Sequence, residues 1–193
     1  GEKLGSRMTD LLDAEGRPPS LVMKPEKERA FADLEAIRHV ASLTWPPTFA
    51  PILSGRQLGY MLHLFYQPKQ LQAKMENGDL FFKAVDENER LIGFTHTGPF
   101  DYALSPVGTN LSWKLHKLYV LPEYQGHKLG KRLLQTAIDA ATDAGANFFV
   151  LNVNRDNPAL DYYLRQGFTI LETADFAIGH GFFMNDHVMG KKL

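Results

Sequence analysis

At 193 residues, 44% hydrophobic and 22% charged, the chain has the bulk for one well-packed domain and the ordinary balance of a globular protein. A formal net charge of −1 gives no basic field for nucleic acid, and the lack of cysteine removes disulfides, thiolate metal sites and a cysteine acyl intermediate. No apolar run approaches the roughly 20 residues of a membrane helix and no secretory pattern opens the chain, so a soluble, cytoplasmic protein without nucleic-acid or membrane partners is expected.

Residues 1–19, rich in Gly, Pro and charge, read as a flexible lead, with the part before Met8 as an expression remnant. One domain is expected over 20–193. Residues 20–24 fit a first, edge-like strand. Phe31, Leu34, Ile37 and Ala41 recur at helical spacing within 26–43, and Pro46-Pro47 is expected to stop that helix. Residues 44–51 then read as a stiff aromatic loop, with Trp45 and Phe49 as a substrate wall. Ser54 opens a second helix, Gln57 completes a capping-box pattern, and Pro68 ends it. A third helix runs from about Lys69 to Glu76 and stops at Asn77-Gly78. The period then becomes two: 80–85 and 90–96 flank Asp86-Glu87-Asn88-Glu89 as an antiparallel hairpin. Residues 98–109 read as a loop bearing Phe100 as a pocket aromatic, and 111–121 as the next strand.

That strand ends in the apolar run Leu118-Tyr119-Val120-Leu121. Pro122-Glu123-Tyr124 turns the chain, and Gln125-Gly126-His127-Lys128-Leu129-Gly130 opens a helix whose apolar face is Leu133, Leu134, Ala137, Ile138 and Ala141. Strand, glycine-bearing turn and helix leave free N–H groups and a positive dipole end, an anion seat suited to phosphate or pyrophosphate. His127, Lys128, Lys131 and Arg132 crowd the same end, where cations oppose the dipole unless an anion is bound. A Walker loop is excluded, because only three residues separate Gly126 from Gly130-Lys131 and Arg132 follows; the Gly-x-Gly-x-x-Gly dinucleotide spacing is absent. Downstream, 148–153 is a short buried strand, Asn157-Pro158 opens a helix over 159–166 stopped by Gly167, 168–172 is another strand, and 181–189 a last strand or bent pair.

The turn resembles the acyl-CoA pyrophosphate loop, Gln/Arg-x-x-Gly-x-Gly/Ala, of the GNAT superfamily of N-acetyltransferases, with Gln125 and Gly130 at its first and last positions and Lys128 where the middle glycine belongs. The lysine is expected to take ordinary helical dihedrals there. Asn157-Pro158-Ala159-Leu160 through Tyr163 to Gly167-Phe168 is similar to the family's second CoA-contacting segment. Trp45-Pro46 and Phe182-Phe183-Met184 look like its polyamine (spermidine/spermine) branch. The resemblance implies a mixed, mostly antiparallel twisted sheet of about seven strands flanked by helices, with acetyl-CoA as co-substrate and no metal. It implies CoA contacts from Leu118, Tyr119, Val120, Gln125, Gly126, His127, Lys128, Leu129, Gly130 and Lys131. Further contacts are implied from Asn154, Asn157 and Tyr163, the family's asparagine falling on Asp156 between the two. It also implies an oxyanion donor at the backbone of Tyr119 or Val120.

Without cysteine, direct attack by a primary amine in a ternary complex is the economical chemistry. By that resemblance Tyr163 faces the sulfur as the candidate acid, and His116 and His96 are the histidines nearest the expected cleft, His116 the candidate base, with solvent through a water chain as the alternative. A small polyamine-like acceptor is expected, bounded by Trp45, Phe49 and Phe100, and a homodimer is left open. A protein or peptide N-acetyltransferase and a non-catalytic acyl-CoA-binding domain are the competing functions.

Overall fold

The computed structural model describes residues 27–102 and 112–193, with side chains from residue 33 onward. The expected lead and the strand at 20–24 lie outside these residues, as does most of the loop after Tyr102. Six strands form one sheet in the order β1-β2-β3-β4-β6-β5: β1 Leu80–Val85, β2 Leu91–Pro99, β3 Ser112–Val120, β4 Phe148–Asn154, β5 Thr169–Gly179 and β6 Phe182–Lys192. All neighbours are antiparallel except β3 and β4, which run parallel. The mixed, mostly antiparallel sheet is as expected, with six strands among the described residues against about seven.

Helices α1 Lys27–Phe49, α2 Gly55–Phe65 and α3 Pro68–Glu76 belong to the layer that packs through Leu34, Ile37, Val40, Trp45 and Leu71 with Phe81, Ile92 and Phe94. Helix α4, Leu129–Asp143, lies against β1–β3 and buries Leu134, Ala137 and Ala141 with Trp113, Leu115, Phe149 and Leu151. The short α5, Ala159–Arg165, sits beside β4. No helix of the described residues is long and apolar enough to cross a membrane.

Three local expectations are corrected. Pro46 and Pro47 do not stop α1, which runs on to Phe49. Both prolines are exposed, and the carbonyls they leave unpaired four residues earlier belong to exposed Ser42 and Leu43, where water can serve them. The aromatic "loop" is thus the last turn of a helix. Pro68 does not end α2 but begins α3, where its missing N–H is an orphan in any case. Gly98-Pro99 belongs to β2 and not to a loop, and β5 continues to Gly179, well past residue 172. At α2, Ser54 Oγ accepts the Gln57 N–H at 3.2 Å, but the Gln57 side chain donates to Phe183 O at 2.7 Å. With Tyr60 Oη on Ile178 O at 2.6 Å, it ties the β5–β6 hairpin to α2.

Candidate functional site

β3 and β4 pair only from Ser112↔Phe148 to Leu115↔Leu151, so beyond that point β3 continues without its neighbour. The gap begins at His116 and Asn152, two positions further on than Val150, which still faces Lys114. Leu121 N–H donates to Ile92 O on the β2 side at 2.9 Å. Alternation along an extended strand therefore turns the N–H groups of Val120 and Leu118 to the open side. A second contact agrees: Val120 O accepts from Gln125 Nε2 at 3.0 Å rather than from a strand. Of the two residues expected as donors, Val120 turns its amide to the open side, as does Leu118, whereas Tyr119 points its amide at β2.

Below the gap stands the head of α4. Gly126 (φ +83) and Lys128 (φ +61, ψ 8) both lie in the left-handed region, and Arg132 N–H is the first to reach back, to Lys128 O at 3.1 Å. The amides of Leu129, Gly130 and Lys131 are free of intrahelical partners and face outward with the helix dipole. The expectation of helical dihedrals for Lys128 is overturned, and the reason a glycine suits this position is now visible: it is a positive-φ turn. Lys128→Gly is expected to raise stability by roughly 1 kcal/mol, the relief of left-handed strain exceeding the added chain entropy; a urea unfolding midpoint that does not rise would contradict it. His127 folds back on its own turn, Nδ1 lying 3.0 Å from Gln125 O, and Lys131 is exposed on the first helical turn.

On the far side of the gap, Asn154 Oδ1 caps the Asp156 N–H and Asn157 Oδ1 the Ala159 N–H, each at 2.9 Å. Asn154, Asn157 and Tyr163 line the cleft, whereas Asp156, where the resemblance put the asparagine, is exposed. The Tyr163 ring rests on Phe168 at 5.8 Å, and burial pushes its phenol well up. The cleft has a volume of about 410 Å³. Trp45 and Phe49 line one wall of the cleft, with the Trp45 ring tilted against Tyr119 at a centroid distance of 5.9 Å. Phe100 does not line the cleft; it stands behind it, with the Lys114 ammonium 4.5 Å above its ring.

The helix α1–α3 face of the cleft carries groups that the sequence reading passed over: Lys114, Lys117, Asn152 and Asp186, beside His116. Burial raises the Asp186 carboxyl, and Asn152 Nδ2 is 3.4 Å from it. Behind His116, His96 Nε2 meets Asp79 Oδ2 at 2.7 Å, and the His116 ring stacks on His96 at 4.5 Å with its Nε2 3.7 Å from the same oxygen. Burial first, then the neighbouring His96, hold His116 down to about 2, so its imidazole is neutral and a poor proton acceptor. Asp79, His96 and His116 have the residue types of a divalent-cation site, their ligand atoms within 4.8 Å of one another. Lys74, Lys114 and Lys117 all bear on these groups, and that many ammonium charges around one carboxylate favour a hydrogen-bonded relay over a dication.

The family model described as the acetyltransferase (GNAT) family matches residues 35–168. The chain belongs to the acetyltransferase (GNAT) family. It is an acetyl-CoA-dependent N-acetyltransferase. A spermidine N(1)-acetyltransferase of Thermoplasma acidophilum is 27% identical over 152 residues, which span 76% of this chain and 89% of that protein. An uncharacterized N-acetyltransferase of Mycobacterium tuberculosis is 26% identical over 165 residues, 84% of this chain and 99% of that protein. Among solved structures, the PaiA N-acetyltransferase of T. acidophilum in complex with coenzyme A is 27% identical and superposes with a TM-score of 0.67 over 84% of this chain and 94% of that one. The strand gap and the outward amides at the head of α4 are the features of this GNAT chain that fit such a ligand.

Proposed function

We propose that the protein transfers the acetyl group of acetyl-CoA to the primary amine of a small, polyamine-like molecule by direct attack within a ternary complex. The observation that carries this reading is the parting of β3 from β4 with Val120's amide edge turned into the opening. The free amides of Leu129, Gly130 and Lys131 hold the pyrophosphate, with Gln125 bracing the turn. Leu118 and Val120 N–H bind the pantetheine and the acetyl carbonyl, where an oxyanion develops. Tyr163, kept protonated by burial, donates to the departing sulfur. Trp45 and Phe49 bound the acceptor, and Asp186 supplies a carboxylate to an ammonium. The spermidine-acetylating relative supports a polyamine. A second reading, an amine that also carries a carboxylate, is favoured by Lys114 and Lys117 on the same face.

Thiol release from acetyl-CoA should be measured with spermidine, spermine, free L-amino acids and short peptides. Turnover is expected to be highest with a polyamine. Amino acids outpacing polyamines would establish the second reading, peptides alone would make it a peptide acetyltransferase, and binding without release to any amine would leave a non-catalytic CoA domain.

A further inference from the structure

β3 contains one residue too many for its partner. His96 faces Lys117 and Thr97 faces Leu115, so His116 is bulged out of the register. A regular pleat would put Lys117 on the α4 side with Trp113 and Leu115, whose side chains pack there. The bulge brings it instead to the acceptor side with Lys114, next to His116. There its Nζ lies 3.5 Å from His96 Nδ1, while His96 Nε2 lies 2.7 Å from Asp79 Oδ2. With these partners His96 donates from Nε2 to the carboxylate and accepts at Nδ1 from the lysine.

We infer that Lys117 is the general base of the transfer, with His96 and Asp79 as the positioning residues that aim its amino group into the cleft, an inference that rests on the acetyl-transfer reading above. In the step it performs, the Lys117 Nζ lone pair takes one proton from the acceptor ammonium. The freed amine forms the N–C bond as the C–S bond breaks. The nitrogen's second proton replaces the one that Tyr163 gives to sulfur, and the lysine returns its own to solvent. Net, ammonium and thioester yield amide, thiol and one proton.

The surroundings suit the role. Desolvation, then Lys74 and Lys114, draw Lys117 down to about 8, while Asp79 pulls the other way. The Tyr66 ring 5.2 Å away favours the charged form and keeps the ammonium tolerable when it forms. His116 beside it and His96 behind it are both neutral, because burial lowers each, and Asp186 faces the same cleft from β6. Lys117 must be uncharged to act, so the rate rises with pH and levels above about 8.

The test is kcat/KM against pH with spermidine as the probe acceptor. Lys117→Met should lower it by about 100-fold or more and abolish the limb, with partial rescue by trimethylamine, a base that cannot itself be acetylated. Lys74→Met should move the limb to higher pH and Asp79→Asn to lower pH, opposite shifts that a merely structural lysine would not produce. His116→Asn should leave the limb where it is. A limb that survives Lys117→Met, or that moves with His116, overturns the inference. An enzyme that acetylates no amine overturns the transfer reading instead. The Lys117 side-chain resonance, assigned by its loss in Lys117→Met, then still decides: a titration midpoint near 8 in the resting protein supports the inference, and an ordinary lysine value of about 10.4 overturns it.

Discussion

Tyr163→Phe should lower turnover ten-fold or more, at the lower end of general-acid effects, while leaving the affinity for CoA intact. The phenol lines the cleft from α5, and its ring is held by edge-on contacts with Tyr162 at 5.3 Å and Phe168 at 5.8 Å, both of which phenylalanine would keep. What is lost is a proton donor that burial, then the neighbouring Tyr119 and Tyr162, keep in its neutral form. Because its titration lies above the usual phenol range, Tyr163 should add no falling limb to the pH profile below about 10. Single-turnover acetyl transfer separates chemistry from product release; an unchanged rate for the chemical step would remove Tyr163 as the acid.

Gly98→Ala should destabilise the fold by roughly 1–3 kcal/mol, the usual cost of forcing atoms into a filled interior. A Cβ on Gly98 would fall inside the contact distance of the Asp79 carboxylate and within 3.1 Å of its Cα. Asp79 has little room to yield, since it is buried and bonded to His96. A urea midpoint equal to that of the wild type would contradict the close packing. The same change should displace the carboxylate that orients His96, so the basic limb of the activity profile is expected to shift along with stability, linking a glycine on β2 to proton transfer.

Much of this was legible in the residues. The strand–turn–helix at 118–134 and the Asn157–Phe168 segment carry strong local patterns, and both stand where those patterns put them. The failures share a cause: each depended on what lies on the other side of an element. Pro46 and Pro47 signal a stop in isolation, yet they fall on the exposed side of a helix pinned by Trp45 and Phe49. Lys128 reads as a residue with ordinary helical dihedrals, but the turn needs a positive φ there. Lys114 and His116 alternate with Trp113 and Leu115 as if half of β3 faced water, with Lys117 out of step, but β3 is a central strand with helices on both faces. Polar side chains there must be paired or used. Asp186 gave no local signal at all; its place opposite Asn154 comes from the β4–β6 register. Phe100 reads as a pocket aromatic, yet its ring lies under the Lys114 ammonium instead.

One extra residue in β3 has a reach beyond its own position. Deleting His116 would let the pleat resume its plain two-step rhythm with β2, barely altering composition or hydrophobicity. The sheet could still form and α4 could still dock. The deletion would set Lys117 one step after Leu115, hence on the opposite side of the sheet from it and still facing the acceptor. Such a variant should fold, hold nucleotide and keep its rising pH limb, since what the bulge adds is a second consecutive side chain, His116, on the side that Lys117 already faces.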